Sequence, residues 1–371
     1  MFLSSITKKY ILSFVFSLLI AVFTAHYSKT FIDGDITKYK KVYEYSSYEP
    51  DEKRFKVSAD PTIDIWGNKD RTKRDYYSKN LTSREITHFF LISFFSKFIS
   101  YEKFLGFLNF CLVFLIFILF LKKNTNYLII LSFIFTNYYM LIIYFSAERL
   151  KVGIIFGLIS LILMQYRKIS YLNILISVLS HFQLMILYSA IFMNYAVKSI
   201  VKVFSQKIIS IYFLILTIFS LLIILFAREH IIYKLNQLSL TNNEIIIGWL
   251  KITIFLILTY INFRKFTFLC ILFLPIYLAT LVVGPNRLII LVFAIFVYFS
   301  IQKNRGVNIP LIIVFVYFFV KSISLIYPLV NCNTVNMDYD ECKIFLYNTE
   351  VNKKINANSY LTIEKYNPTI E

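Results

Sequence analysis

Long apolar runs alternate with short basic connectors over most of the chain. A helix needs about 20 mainly apolar residues to cross a bilayer core of roughly 30 Å. Runs at 10–25, 104–121, 127–145, 152–165, 208–227, 245–262, 266–283, 288–301 and 309–330 reach or approach that length and predict nine membrane spans. The stretch 169–197 is too long for one span, and basic residues flank both its ends: Arg167 and Lys168 before it, Lys198 and Lys202 after it. Two short helices turning near His181 keep both ends on one side of the membrane; the competing reading is one long tilted helix. Residues 85–101 are apolar but short and carry Lys97, which predicts an interfacial or re-entrant helix. The expected fold class is an all-α integral membrane protein: a polytopic helical bundle of nine spans plus a short helical hairpin, with a long outer loop.

Composition agrees with that pattern. Of 371 residues, 58% are hydrophobic and 16% charged, against about 45–50% and about 25% in soluble domains. Soluble folds are thereby excluded. The net charge is +18, but the basic residues sit mainly in the short connectors, where they orient a membrane protein. No nucleic-acid partner is expected. Lys8 and Lys9 place the N-terminus in the cytoplasm, and the apolar run after them reads as an uncleaved signal anchor. Residues 26–84, with 13 basic and 10 acidic residues, then form a long periplasmic loop, and the polar tail 331–371 is also outside. Residues 1–330 make up the membrane domain. Cys111 and Cys270 lie in apolar runs, Cys332 and Cys342 in the tail; no metal-ligand spacing is present, so neither a metal nor a cofactor is expected.

The unusual polar residues collect on the outer side. Arg149 follows Glu148 at a membrane edge, and its planar fork of donors suits phosphate oxygens. The bland alternative is an interfacial Arg that snorkels and pairs with Glu148. Arg287 follows a Gly-Pro-Asn turn and could equally face lipid headgroups. His181 stands within an apolar stretch, either as a hydrogen-bonded core residue or as a group that positions or takes a proton. His26, His88 and His230 read as interfacial. Lys321 lies halfway along the last span, either snorkelling or paired with a carboxylate. Asp33, Asp35 and Glu85 are candidate bases, although Asp33-Gly34-Asp35 reads most simply as a turn. The outer loop is rich in Tyr and carries Trp66. No P-loop, dinucleotide fingerprint or nucleophile elbow occurs.

The segments Glu85 to Phe90, Phe104 to Lys123, Phe145-Ser-Ala-Glu-Arg149 and Leu179-Ser-His181-Phe182 follow one another in an order that resembles the EpsG family of bacterial exopolysaccharide proteins, related to Wzy-type O-antigen and capsule polymerases. Arg287 is similar to a late Arg of that family. Lys151 departs from the family's usual Gly, and Gln183 from its frequent Ser or Thr. The resemblance implies a multi-pass protein of the bacterial inner membrane that polymerises undecaprenyl-pyrophosphate-linked oligosaccharide repeat units at the periplasmic face. It implies Arg149, His181 and Arg287 as catalytic residues, Glu85 and Glu148 at the substrate, and membrane lipid, a flippase and a chain-length regulator as partners; with a sugar substrate, Trp66 and the Tyr of the outer loop are expected to offer flat faces on which the rings stack. An O-antigen ligase or another lipid-linked-sugar transferase would use the same face and the same Arg chemistry. A flippase or other polysaccharide transporter is the rival of another class; transporters usually carry repeated halves with paired broken helices, and no such symmetry is apparent here.

Overall fold

A computed structural model describes residues 5–28, 36–47, 85–165, 170–181, 183–192, 242–283 and 285–331. Trp66, most of the 26–84 loop, the 208–227 run and the tail beyond Asn331 lie outside the described residues. Among the described residues every regular element is helical. Among the described residues, four helices are long and apolar enough to cross a membrane: Lys8–Tyr27, Tyr101–Lys122, Ile246–Phe263 and Asn304–Ile323. A bent pair makes a possible fifth span. The chain divides into two compact units. One comprises Met1–Phe117, Leu131–Ile155 and Phe315–Glu371; the other comprises Ile118–Ile130 and Phe156–Val314.

In the first unit, α1 (Ser5–Tyr27) packs against α4 (Tyr101–Lys122). The polar side chains of α1 are hidden by back-bonding: Ser13, Ser17 and Thr24 each donate to the carbonyl four residues earlier, at 2.7–2.8 Å. Phe14 meets Phe110 edge-on at 5.3 Å, and Gly106 allows close approach, since a Cβ there would lie 2.9 Å from the Ala21 carbonyl oxygen. The segment 26–84 holds a helix. This is α2 (Ile36–Ser47), and Ile36, Tyr39, Val42 and Tyr43 on that helix are buried. Their spacing of three and four puts them on one face, which rests on α3 (Ile86–Phe95). Tyr39 and Tyr43 are therefore core residues and not free faces for sugars.

The run 127–145, expected as one straight span, is two helices, α5 (Tyr127–Thr136) and α6 (Tyr138–Phe145), bent by 55°. Asn137 makes the break. Its Oδ1 accepts from the backbone N–H groups of Tyr139 at 2.9 Å and Met140 at 3.3 Å, which caps α6. The Ile134 carbonyl, left behind at the break, accepts from the Tyr144 hydroxyl at 3.0 Å. Helix α7 (Glu148–Gln165) follows at once. In α13 (Ile309–Asn331), Lys321 holds its ammonium 4.1 Å from the centre of the Tyr138 ring, a cation–π contact.

In the second unit, α8 (Tyr171–Ser180) ends at His181 and α9 (Gln183–Phe192) begins beyond it. The Tyr188 hydroxyl donates to Ser177 Oγ at 3.0 Å. Eleven residues of straight helix would separate the two backbones by about 16 Å, so the chain turns sharply between them. Helices α10 (Asn242–Phe263), α11 (Phe266–Val283) and α12 (Pro285–Ser300) pack together. Asn262 ties α10 to the end of α12, donating to Ser300 Oγ at 2.8 Å and Asn308 Oδ1 at 3.0 Å. A 3-10 turn, Asn304–Gly306, leads to α13. Gly306 there has φ +85°, and a Cβ would meet Thr125 and Ile129 at 3.1–3.2 Å.

Candidate functional site

Five ionisable side chains converge in the first unit, all from helix ends. Glu85 is the N-cap of α3, and His88 follows one turn later. Residues three apart on a helix share a face. Glu148, Arg149 and Lys151 occupy the first turn of α7. The two sets interlock as acid to base and base to acid. Arg149 Nη1 donates to Glu85 Oε2 at 2.9 Å, and His88 Nε2 donates to Glu148 Oε1 at 2.8 Å.

The surroundings complete the arrangement. Tyr101, at the start of α4, donates its hydroxyl to Glu148 Oε2 at 2.8 Å, so both oxygens of that carboxylate are engaged. Arg149 Nε donates to the Tyr39 hydroxyl at 3.0 Å, and the Tyr39 ring lies 5.8 Å from the guanidinium carbon. The same ring meets His88 edge-on at 5.4 Å. Lys151 is fully buried and donates to the Tyr144 carbonyl at 2.8 Å; Asn109 donates to that oxygen at 3.1 Å. Lys151 thus caps the C-terminal end of α6, where an ammonium complements exposed carbonyls. Acidic and basic side chains thus meet one another across the cluster, which is what an enclosed polar cluster in an apolar bundle requires.

Helix α2 closes one side. The Tyr43 hydroxyl donates to the Ile99 carbonyl at 2.9 Å, and Lys40 pairs with Glu102 at 3.1 Å. Burial, and after it the charges of Glu148 and Glu102, push the Tyr43 phenol far above its usual range, so it stays a hydroxyl donor.

Of the residues singled out from the sequence, Glu85, Glu148 and Arg149 meet in this one cluster. Arg149 pairs with Glu85 rather than with its neighbour Glu148. His88, read as interfacial, is fully buried. The spacing Glu85-x-x-His88 on an apolar helix was its available signal. Tyr39, Tyr101 and Lys151 also join, and nothing in their spacing marks the tyrosines. His181 belongs to the second unit, where its Nε2 donates to Gln183 Oε1 at 3.0 Å. The backbone of Arg287 lies in the first turn of α12, but its side chain lies outside the described residues, as does all of Trp66. Among the described residues no group of three or more His, Cys, Asp or Glu could hold a metal ion. The chain matches no family model, no curated protein and no solved structure.

Proposed function

We propose that this chain is a multi-pass glycosyltransferase of the bacterial inner membrane that polymerises undecaprenyl-pyrophosphate-linked oligosaccharide units at the periplasmic face. The observation that carries the reading is Arg149, a guanidinium held on two edges by Glu85 and Tyr39 within an apolar helical bundle. Intramembrane ionisable residues are costly and usually mark function. A fixed guanidinium suits the charge that develops on a diphosphate leaving group. The growing chain on one lipid carrier is the donor, a sugar hydroxyl of the next lipid-linked unit is the acceptor, and lipid diphosphate leaves. His181 and Arg287 remain the second set of residues for acceptor and diphosphate, on the strength of the family resemblance.

Cells lacking the chain test the reading directly. They are expected to carry surface polysaccharide with single repeat units in place of a ladder, and the full-length gene restores the ladder. A ligase would instead leave the surface bare while long chains stay on the lipid carrier. A flippase would strand single units on the cytoplasmic side. Either result removes the polymerase reading.

The proposed orientation has nine spans and a hairpin, with an inside N-terminus and an outside tail. Reporter fusions at Lys123, Lys168 and Lys265 are expected to report cytoplasm, and one at Glu371 periplasm. A cytoplasmic signal at Glu371 would eliminate the hairpin around His181.

A further inference from the structure

Basic residues gather where three connectors of the second unit meet. The connectors are residues 123–126 between α4 and α5, 264–265 between α10 and α11, and 301–308 between α12 and α13. The Asn126 N–H donates to the Arg305 carbonyl at 2.7 Å, which joins the first connector to the third. Lys303 Nζ donates to the Ile261 carbonyl at 3.2 Å, and the Phe263 and Phe299 ring centres lie 4.4 Å apart, which joins the third connector to the end of α10. We propose that the three connectors form a binding site for the phosphate headgroup of an anionic phospholipid. The site is independent of the transferase reading above.

Charge and backbone both support the site. The connectors carry Lys123, Arg264, Lys265, Lys303 and Arg305 and hold no Asp or Glu. Arg264, Lys265 and Arg305 are exposed. The Lys123 ammonium lies 5.4 Å from the centre of the Tyr298 ring, and that of Lys265 lies 5.6 Å from the centre of the Phe263 ring. Each ring helps to fix its cation in place. Among the described residues, the non-glycine residues with positive φ are Asn124, Arg264, Asn304 and Arg305, and all of them lie in these connectors. Left-handed backbone suits Asn, whose short side chain bonds locally, and is costly for Arg. Strained residues cluster at ligand sites, where the strain helps to place a side chain. Arg264 at φ 58° and Arg305 at φ 56° each extend a guanidinium from a tight turn, and its fork of donors fits phosphate oxygens.

Exposed apolar side chains decide between a lipid and a soluble anion. Each connector has them within it or just beyond its end: Leu128 by the first, Phe266 by the second, Val307 and Ile309 at the third. These four are 47–74% exposed. A soluble anion would leave them in water. A phospholipid lays its acyl chains against them while its phosphate meets the cations. In the proposed orientation the three connectors face the cytoplasm, and anionic lipid makes that leaflet negative. A connector that only oriented the chain would need its Lys and Arg somewhere in its length. It would need neither the hydrogen bonds that draw three connectors together nor an Arg in left-handed backbone.

The test titrates dioleoyl phosphatidylglycerol into the full chain in detergent and counts retained lipid by native mass spectrometry. Dioleoyl phosphatidylethanolamine serves as the zwitterionic comparison. The site variant combines Arg264→Asn, Lys265→Gln and Arg305→Asn, because Asn keeps the left-handed turns while the charges go. The control combines Lys8→Gln, Lys9→Gln and Lys97→Gln, which removes the same charge from exposed positions of the first unit. Wild type is expected to prefer phosphatidylglycerol. The site variant should bind it about 100-fold more weakly, at about fivefold for each basic residue near an anionic headgroup, and the control should bind as wild type does. The melting temperature of the site variant without lipid should match wild type, and its rise with added phosphatidylglycerol should be lost. If that variant melts early without lipid, Lys265→Gln and Arg305→Asn made singly carry the test, each with about fivefold weaker binding; unchanged binding in both overturns the site. Equal weakening in the site variant and the control reduces the effect to net charge and overturns it as well. So does equal binding of the zwitterionic lipid, or displacement of the lipid by an equal concentration of glycerol phosphate, which would mark a site for soluble anions.

Discussion

Replacing Arg149 by lysine is expected to abolish polymer while leaving the protein folded and in the membrane. Lysine keeps the charge opposite Glu85. It has no fork, so it cannot hold the Tyr39 hydroxyl and the Glu85 carboxylate from two edges of one rigid plane, as Arg149 does at 3.0 and 2.9 Å. Loss of a fixed donor at developing negative charge typically costs about 10²–10³ in rate, enough to turn a ladder into single units. Arg149→Ala should lose polymer too, but it is the less informative variant. It removes the guanidinium that donates to Glu85 Oε2, and breaking a buried pair from one side costs about 3–5 kcal/mol, discounted here for the partial exposure of this pair. Lost function in the alanine variant can therefore be lost folding. Surface polysaccharide profiles from complemented deletion strains, with membrane protein levels beside them, separate the cases. Full-length ladders from an Arg149→Lys strain would take Arg149 out of the site and shift attention to Arg287.

Apolar run length made the fold class legible from residues alone. The runs 10–25, 104–121 and 309–330 correspond to α1, α4 and α13, because an apolar run of about 20 residues is itself the signal of a helix long enough to cross a bilayer. The bend at Asn137 was not legible. An Asn in an apolar run is ambiguous until its side chain is seen capping the next helix and Tyr144 is seen taking the abandoned carbonyl. Helix α2 was hidden by its setting, since it interrupts a charged loop and its apolar face has only four residues to show.

The candidate site was half legible. Glu148 and Arg149 stood out as charges at a membrane edge, and their adjacency suggested a mutual pair. Neighbours on a helix point about 100° apart, so adjacency works against pairing. Each instead reaches a different residue of α3, about sixty positions earlier in the chain. Long-range pairing of this kind leaves no local trace. The i, i+3 spacing of Glu85 and His88 was the one mark available, and it records only that the two share a face.

Glu148→Leu is expected to destabilise the protein more than any other single change in the cluster. Its carboxylate is sealed and accepts from His88 and Tyr101 at 2.8 Å each. Removing it strands an imidazole N–H and a phenol in an apolar interior and leaves Lys151 without the nearby negative charge. Breaking such a pair from one side costs about 3–5 kcal/mol, a large share of the 5–15 kcal/mol typical of a folded domain. Replacing all three polar partners by apolar residues removes the stranded groups along with the pair, and exchanges of that kind are often close to neutral. The triple variant Glu148→Leu, His88→Phe, Tyr101→Phe should therefore regain much of the folded yield that Glu148→Leu loses. Monodisperse fraction and melting temperature in detergent are the measurements. The triple variant should remain slow in turnover even where its yield recovers, because residue 149 has lost the anchor beside it. Wild-type melting of Glu148→Leu would show that the pair does not hold the cluster together. Wild-type turnover of a recovered triple variant would show that Arg149 is positioned by other means.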